Sequence, residues 1–166
     1  FVEMKQMTRR MAERDEELLN VYRDNPIPIV WLAGLLRKDE IECSIGLPAE
    51  MNIPFRICQG LREERELAFS TIANNGKRGV VVDAVTAVLI KRLGVEEAVE
   101  AVCEPTKTAS TTIERLTERY HEAESMIGRM MGTFGYRDGQ YILTEHTEEH
   151  QQNILKARAD ELEWAR

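Results

Sequence analysis

The chain has 166 residues, 43% of them hydrophobic, with 29 acidic and 22 basic side chains and a net charge of −7. That length supplies one full core with room for a helical extension. The acidic balance argues against a broad basic surface for nucleic acid, and no apolar run approaches the roughly 20 residues of a membrane span. A small catalytic cleft or a protein-binding role stays open. Cys43, Cys58 and Cys103 are scattered, odd in number and without metal-binding spacing, so reduced thiols in a cytoplasmic protein are expected. The first residue is Phe1, and the chain stops at Arg166 inside an amphipathic pattern, as in an excised piece of a larger protein.

Residues 1–24 read as one helix. Met4, Met7, Met11, Leu18 and Val21 fall on a heptad stripe that Arg14 interrupts. Such a Met-rich stripe packs on a neighbouring helix or forms a groove for a partner. Asp24-Asn25-Pro26 ends it. Ile27-Pro28 opens a second helix through Leu36, apolar nearly all round and so expected to be buried. Between Asp39 and Pro54, Gly46, Pro48 and Pro54 mark turns, and Ile45, Leu47 and Met51 are contacts. This stretch reads as a linker, or as a short strand and loop. Ile57, Cys58, Leu61, Ala68, Phe69 and Ile72 make a third helical face to about Asn74, with the charged run 62–66 as its solvated side.

The stretch from Gly79 to Gly94 carries the strongest local signal. Val80, Val81 and Val82 follow a turn-like run and read as a buried strand. Asp83 ends it. Val85, Val88, Leu89 and Leu93 then recur at helical spacing, and Gly94 is a stop. Asp83 thus stands where a strand hands over to a helix, which suits either an N-terminal cap or a ligand at the edge of an open α/β sheet. A short helical run over 95–102 and a second strand over 103–108 follow. Ser110 to about Arg129 is helical, with Thr111 and Glu114 spaced as a capping box. Residues 132–144 resemble a hairpin around Asp138-Gly139, and Thr147 caps a last helix bearing Glu148 and Glu149 in its first turn.

Three motifs have chemical spellings but poor contexts. His146-x-x-Glu149-His150 fits an inverted zinc-protease pattern, yet zinc needs both imidazoles on one helical face and a third ligand. Here His146 precedes the helix, and only 16 residues follow His150. Glu118-x-x-His121 is a single copy of a motif that di-iron bundles need twice. Asn75-Gly-Lys-Arg-Gly79 precedes its strand, whereas a phosphate loop follows one. The remaining pair is Asp83 and Glu114. Each follows an expected strand and stands at or near the start of a helix. If those strands are adjacent and parallel, the carboxylates come to one sheet edge, and hard oxygen ligands there suit Mg²⁺ or Mn²⁺.

These residues resemble a family. The run Val80-Val-Val-Asp83-Ala-Val-Thr-Ala-Val-Leu89 looks like the first motif of PIN-domain nucleases, and Ser110-Thr-Thr-Ile-Glu114-Arg-Leu116 looks like the second. The segment order, with Asn25-Pro-Ile-Pro28 and then Gln59-Gly-Leu-Arg-Glu-Glu-Arg65 ahead of the Asp strand, is similar to a PIN-like domain attached to large bacterial helical-repeat (TPR-type) proteins. The likeness covers roughly residues 25–166. It implies an α/β fold, an open and mainly parallel sheet flanked by helices, over residues 55–166. Residues 1–54 would form an N-terminal helical extension. It also implies a bacterial, metal-dependent cut of single-stranded RNA, with Asp83 and Glu114 as the first two ligands of Mg²⁺ or Mn²⁺. The expected partners are RNA, and a protein partner or the remainder of a larger chain; no membrane is expected. The family's later acids follow a further helix and strand that this chain ends before. Asp138 in a turn and Asp160 on a helix match neither by context. Two expectations follow: a fragment with part of the site, or a degenerate, non-catalytic interaction or regulatory module.

Overall fold

A computed structural model describes residues 1–25, 27–50, 53, 62–75 and 78–166. Several expectations lie outside these residues: the Pro26 stop, Met51, Pro54, the Ile57, Cys58 and Leu61 start of the third helix, and the Gly76–Lys77 turn. The described chain is helix-rich. Its elements are α1 (Val2–Asp24), α2 (Ile29–Leu36), α3 (Glu40–Glu50), α4 (Arg62–Asn75), β1 (Val80–Val82), α5 (Ala84–Leu93), α6 (Glu96–Val102), β2 (Thr106–Thr108), α7 (Ser110–Met126), β3 (Met131–Arg137), β4 (Gln140–His146) and α8 (Glu148–Ala165). No helix among the described residues is long and apolar enough to cross a membrane. Two compact units emerge, one of residues 1–53 with 126–153, the other of residues 54–125 with 154–166.

In the first unit, Leu19 and Tyr22 of α1 meet Leu32, Ala33 and Leu36 of α2, Cys43 and Leu47 of α3, and Ile53. Only that side of α2 is buried. Val30, Trp31 and Leu35 are exposed, which corrects the expectation of an all-round buried helix. The segment after Asp39 is likewise a helix, not a linker or strand. The Asp39 carboxylate accepts from the amides of Ile41 (2.9 Å) and Glu42 (3.1 Å), satisfying donors that the first turn leaves open. Burial of Ile41, Cys43 and Leu47 then holds α3 on the core although Gly46 and Pro48 lie inside it. Tertiary packing has outweighed local propensity.

The hairpin belongs to this unit. Met131 pairs with His146 and Arg137 with Gln140 in an antiparallel register. Asp138 (φ 50°) and Gly139 (φ 80°) both take the positive φ that a two-residue turn of matching twist requires. Its inner face meets α1. Phe134 stacks on Tyr141 at 5.7 Å, Lys5 Nζ lies 5.1 Å from the Tyr141 ring, and the Tyr141 hydroxyl donates to the Lys5 carbonyl at 3.2 Å. At the other end Gln151, buried on α8, accepts from the Gly128 amide and donates to the Arg129 carbonyl.

In the second unit β1 and β2 pair in parallel, Val80 with Thr106 and Val82 with Thr108. Gly79 makes the approach possible: at φ +88° it passes so close to Pro105 that a Cβ would meet the Pro105 carbonyl oxygen at 2.6 Å. The parallel sheet is two strands wide among the described residues, not the broad open sheet the sequence led us to expect. One face is covered, with Val82, Ala87, Val88 and Leu116 buried. Val81, on the other face, is 69% exposed, so β1 is not buried on both sides. Gly94 (φ 65°) closes α5 as expected. Lys91 and Glu96 join α5 to α6 at 2.9 Å. That bond raises the lysine pKa and lowers the carboxyl's.

The C-terminal part of α8 is held to α5 and α6. Leu162 and Ala165 are buried, and the indole of Trp164 donates to Glu100 at 3.3 Å. Glu161, only 2% exposed, takes Arg92 Nε at 3.1 Å and Arg158 Nη1 at 3.0 Å.

Candidate functional site at the parallel sheet edge

Val82 and Thr108 are register partners in parallel strands, so the chain leaves β1 and β2 at the same edge. Asp83 is the next residue after β1. Its backbone is extended (φ −84°, ψ 174°), and its Oδ1 accepts from the Thr86 amide at 2.8 Å. The cap expectation therefore holds. The bond fixes the carboxylate at the sheet edge, and its other oxygen carries no hydrogen bond among the described residues.

Glu114 lies on α7, whose start meets the edge. The helix begins at Ser110, and the Ala109 carbonyl accepts from the amides of Thr112 (3.0 Å) and Ile113 (3.2 Å). Thr111 therefore lies inside the helix, and the expected capping box with Glu114 is not in register. Ala109 occupies the position that Thr111 was expected to hold. Thr112, Leu116, Arg119 and Ala123 are the buried stripe of α7. The Thr112 hydroxyl lies 3.5 Å from the Val82 carbonyl, a long hydrogen bond between the start of α7 and the last residue of β1. Glu114 is two residues on, roughly 200° around the helix from Thr112, and is exposed.

The topology thus brings Asp83 and the start of α7 to one edge, Asp83 oriented by Thr86 and α7 tied to β1 by Thr112, while Glu114 stands exposed in the second turn of α7. Among the described residues no group of three or more His, Cys, Asp or Glu side chains stands close enough together to hold an ion. The donor chemistry fits a small hard cation that keeps most of its waters: Mg²⁺ is commonly bound through one or two carboxylates, with water and substrate phosphate completing its shell. Sequence reasoning passed over Thr86 and Thr112. The second was recoverable, because Thr112, Leu116, Arg119 and Ala123 recur at helical spacing and put the threonine on the apolar stripe.

The other motifs lie elsewhere. His146 closes β4 and His150 lies in the first turn of α8. Their rings stack with centroids 5.2 Å apart, and His146 Nε2 is 2.8 Å from the Thr133 hydroxyl. His121 Nδ1 is 3.2 Å from Glu124, one turn on along α7, in place of an arrangement with Glu118. Thr147 does cap α8, its hydroxyl accepting from the His150 amide at 3.2 Å.

Comparison with known proteins returns one family. The model of a PIN domain associated with the TPR-GreAB-C-PIN system matches residues 81–166, just over half of the chain, and the match takes in both Asp83 and Glu114. No curated protein and no solved structure gives a significant match.

Proposed function

The chain belongs to the family of PIN domains associated with the TPR-GreAB-C-PIN system, and from that premise we propose a metal-dependent ribonuclease that cuts single-stranded RNA. The observation that carries the reading is the parallel pairing of β1 with β2, which sends Asp83 and the start of α7 to one edge. Asp83 and Glu114 hold the cation, and Mg²⁺ or Mn²⁺ bound there would supply an activated water and charge stabilisation at phosphorus. The work of the protein is positional. The Thr86 amide aims the Asp83 carboxylate, and Thr112 keeps the first turn of α7 against β1. The proposal places the domain in a bacterial cytoplasm, where Cys43 and Cys103 stay as thiols. The family's tie to a TPR-containing system supports a protein partner or a larger chain.

The test is cleavage of end-labelled single-stranded RNA with Mn²⁺ by the parent, Asp83→Asn and Glu114→Gln. Cutting by the parent, reduced by about a hundredfold or more in both variants with unfolding temperatures unchanged, is the expected result. Equal cutting by parent and variants would remove both residues from the chemistry.

One observation favours a second reading, a non-catalytic interaction module: Met4, Met7 and Met11 of α1 stand exposed. RNA cutting that depends on Asp83 would rule this reading out.

A further inference from the structure

Helix α1 has two long sides of different fate. Phe1, Lys5 and Arg9, spaced four apart, face the rings of Phe134, Tyr141 and Tyr136. A second side, roughly a third of a turn round the helix, carries Met4, Met7 and Met11, which are 42%, 59% and 43% exposed. There Glu3, Gln6, Met7, Arg10, Met11 and Arg14 line a shallow groove of about 500 Å³. Its centre is Met7, Arg10 and Met11, and its two ends are the oppositely charged Glu3 and Arg14.

We propose that this groove is a self-association surface, filled by the same stripe of a second copy lying antiparallel about a two-fold axis. The order of charges selects that arrangement. Parallel, in-register pairing would set Glu3 against Glu3 and Arg14 against Arg14. A two-fold axis crossing midway between residues 8 and 9 exchanges the ends. Glu3 then faces Arg14 of the partner subunit, Gln6 faces Met11 of the partner subunit, and Met7 faces Arg10 of the partner subunit. All six lining positions map onto one another. A self-complementary patch of this kind closes as a dimer and does not propagate. Arg10 lays its aliphatic stem over the facing thioether, and Met side chains adapt to the fit. Arg14 is 38% exposed, so it is reachable, although one of its nitrogens already lies 2.8 Å from Asp15. Just over three turns of one helix from each copy bury less than the roughly 1,200 Å² of a tight complex. The dimer is therefore weak and concentration-dependent. The inference deepens the interaction reading by naming the partner, and it stands apart from catalysis, which the RNA assay decides.

Sedimentation over a hundredfold range of protein concentration tests it. The weight-average mass of the parent should climb from 19.1 kDa toward twice that value. Glu3→Lys alone and Arg14→Glu alone each set like charges together at both ends and should weaken association roughly tenfold. An equimolar mixture of the two variants restores opposite charges at both ends and should associate at least as well as the parent. Met7→Lys is the independent check, expected to stay monomeric with unchanged helicity. A parent that is monomeric throughout, or a mixture that associates no better than its components, would overturn the proposal. So would a Met7→Lys variant that pairs as the parent does.

Discussion

Asp83 has two jobs that substitution can separate. Asparagine is as good an N-cap as aspartate, whereas alanine offers no acceptor. Asp83→Ala should therefore lower stability by about 1 kcal/mol, read from chemical unfolding, while Asp83→Asn stays within a few tenths. If the carboxylate holds a cation, the two variants should nevertheless be equally inactive on RNA. The cysteines give a second contrast. Burial pushes the Cys43 thiol up from its ordinary value, leaving less thiolate near neutrality. Cys103 is partly exposed. Brief native treatment with a maleimide, mapped by peptide mass, should label Cys103 and reach Cys43 only in denaturant.

Among the elements, those with a local cause were legible in the chain. Asp83 and Gly94 bracket α5, Asp138-Gly139 makes the hairpin turn, and Thr147 caps α8. Each is a short-range hydrogen bond or backbone preference. The elements misjudged depend on what lies far away. Helix α3 is held by a core built from α1 and α2, which outweighs Gly46 and Pro48. The two exposed sides, on α2 and on β1, reflect which neighbours arrive, and composition does not state that. The same limit applies to the site. Asp83 and Glu114 could be picked out as residues, but the approach of the start of α7 to the Asp83 edge rests on β1 pairing with β2 across a crossover, and strand order is a long-range fact. Nothing local announced the Arg92–Glu161 ion pair either, whereas Arg158–Glu161 is a local pair three residues apart. Removing that carboxylate takes one acceptor from Arg158, 11% exposed, and one from Arg92, 40% exposed. Glu161→Ala should cost about 1–3 kcal/mol in urea unfolding. Exposed Glu118→Ala on α7, a surface change, should fall within about 0.5 kcal/mol.

At the scale of the whole molecule the excess of acidic side chains limits how RNA would be held under the proposed function. With a net charge of −7, binding has few cations to exchange for phosphate counterions. The expected affinity for single-stranded RNA is weak and falls gently with salt, with a log–log slope of magnitude below about 2, corresponding to no more than three neutralised phosphates. A steep slope in filter binding would reveal a basic track that the charge balance hides. The order in which the chain visits its two units has a further consequence during synthesis. The first unit is not complete at residue 53; it also needs residues 126–153. The Tyr141 hydroxyl bonds to a Lys5 carbonyl 136 residues earlier. At ribosomal speeds of about 5–20 residues per second, α1 waits roughly 10 s for the hairpin. Through that interval the side of α1 bearing Phe1, Lys5 and Arg9 emerges from the exit tunnel without its aromatic cover. The nascent chain therefore offers chaperones a surface that the finished protein conceals.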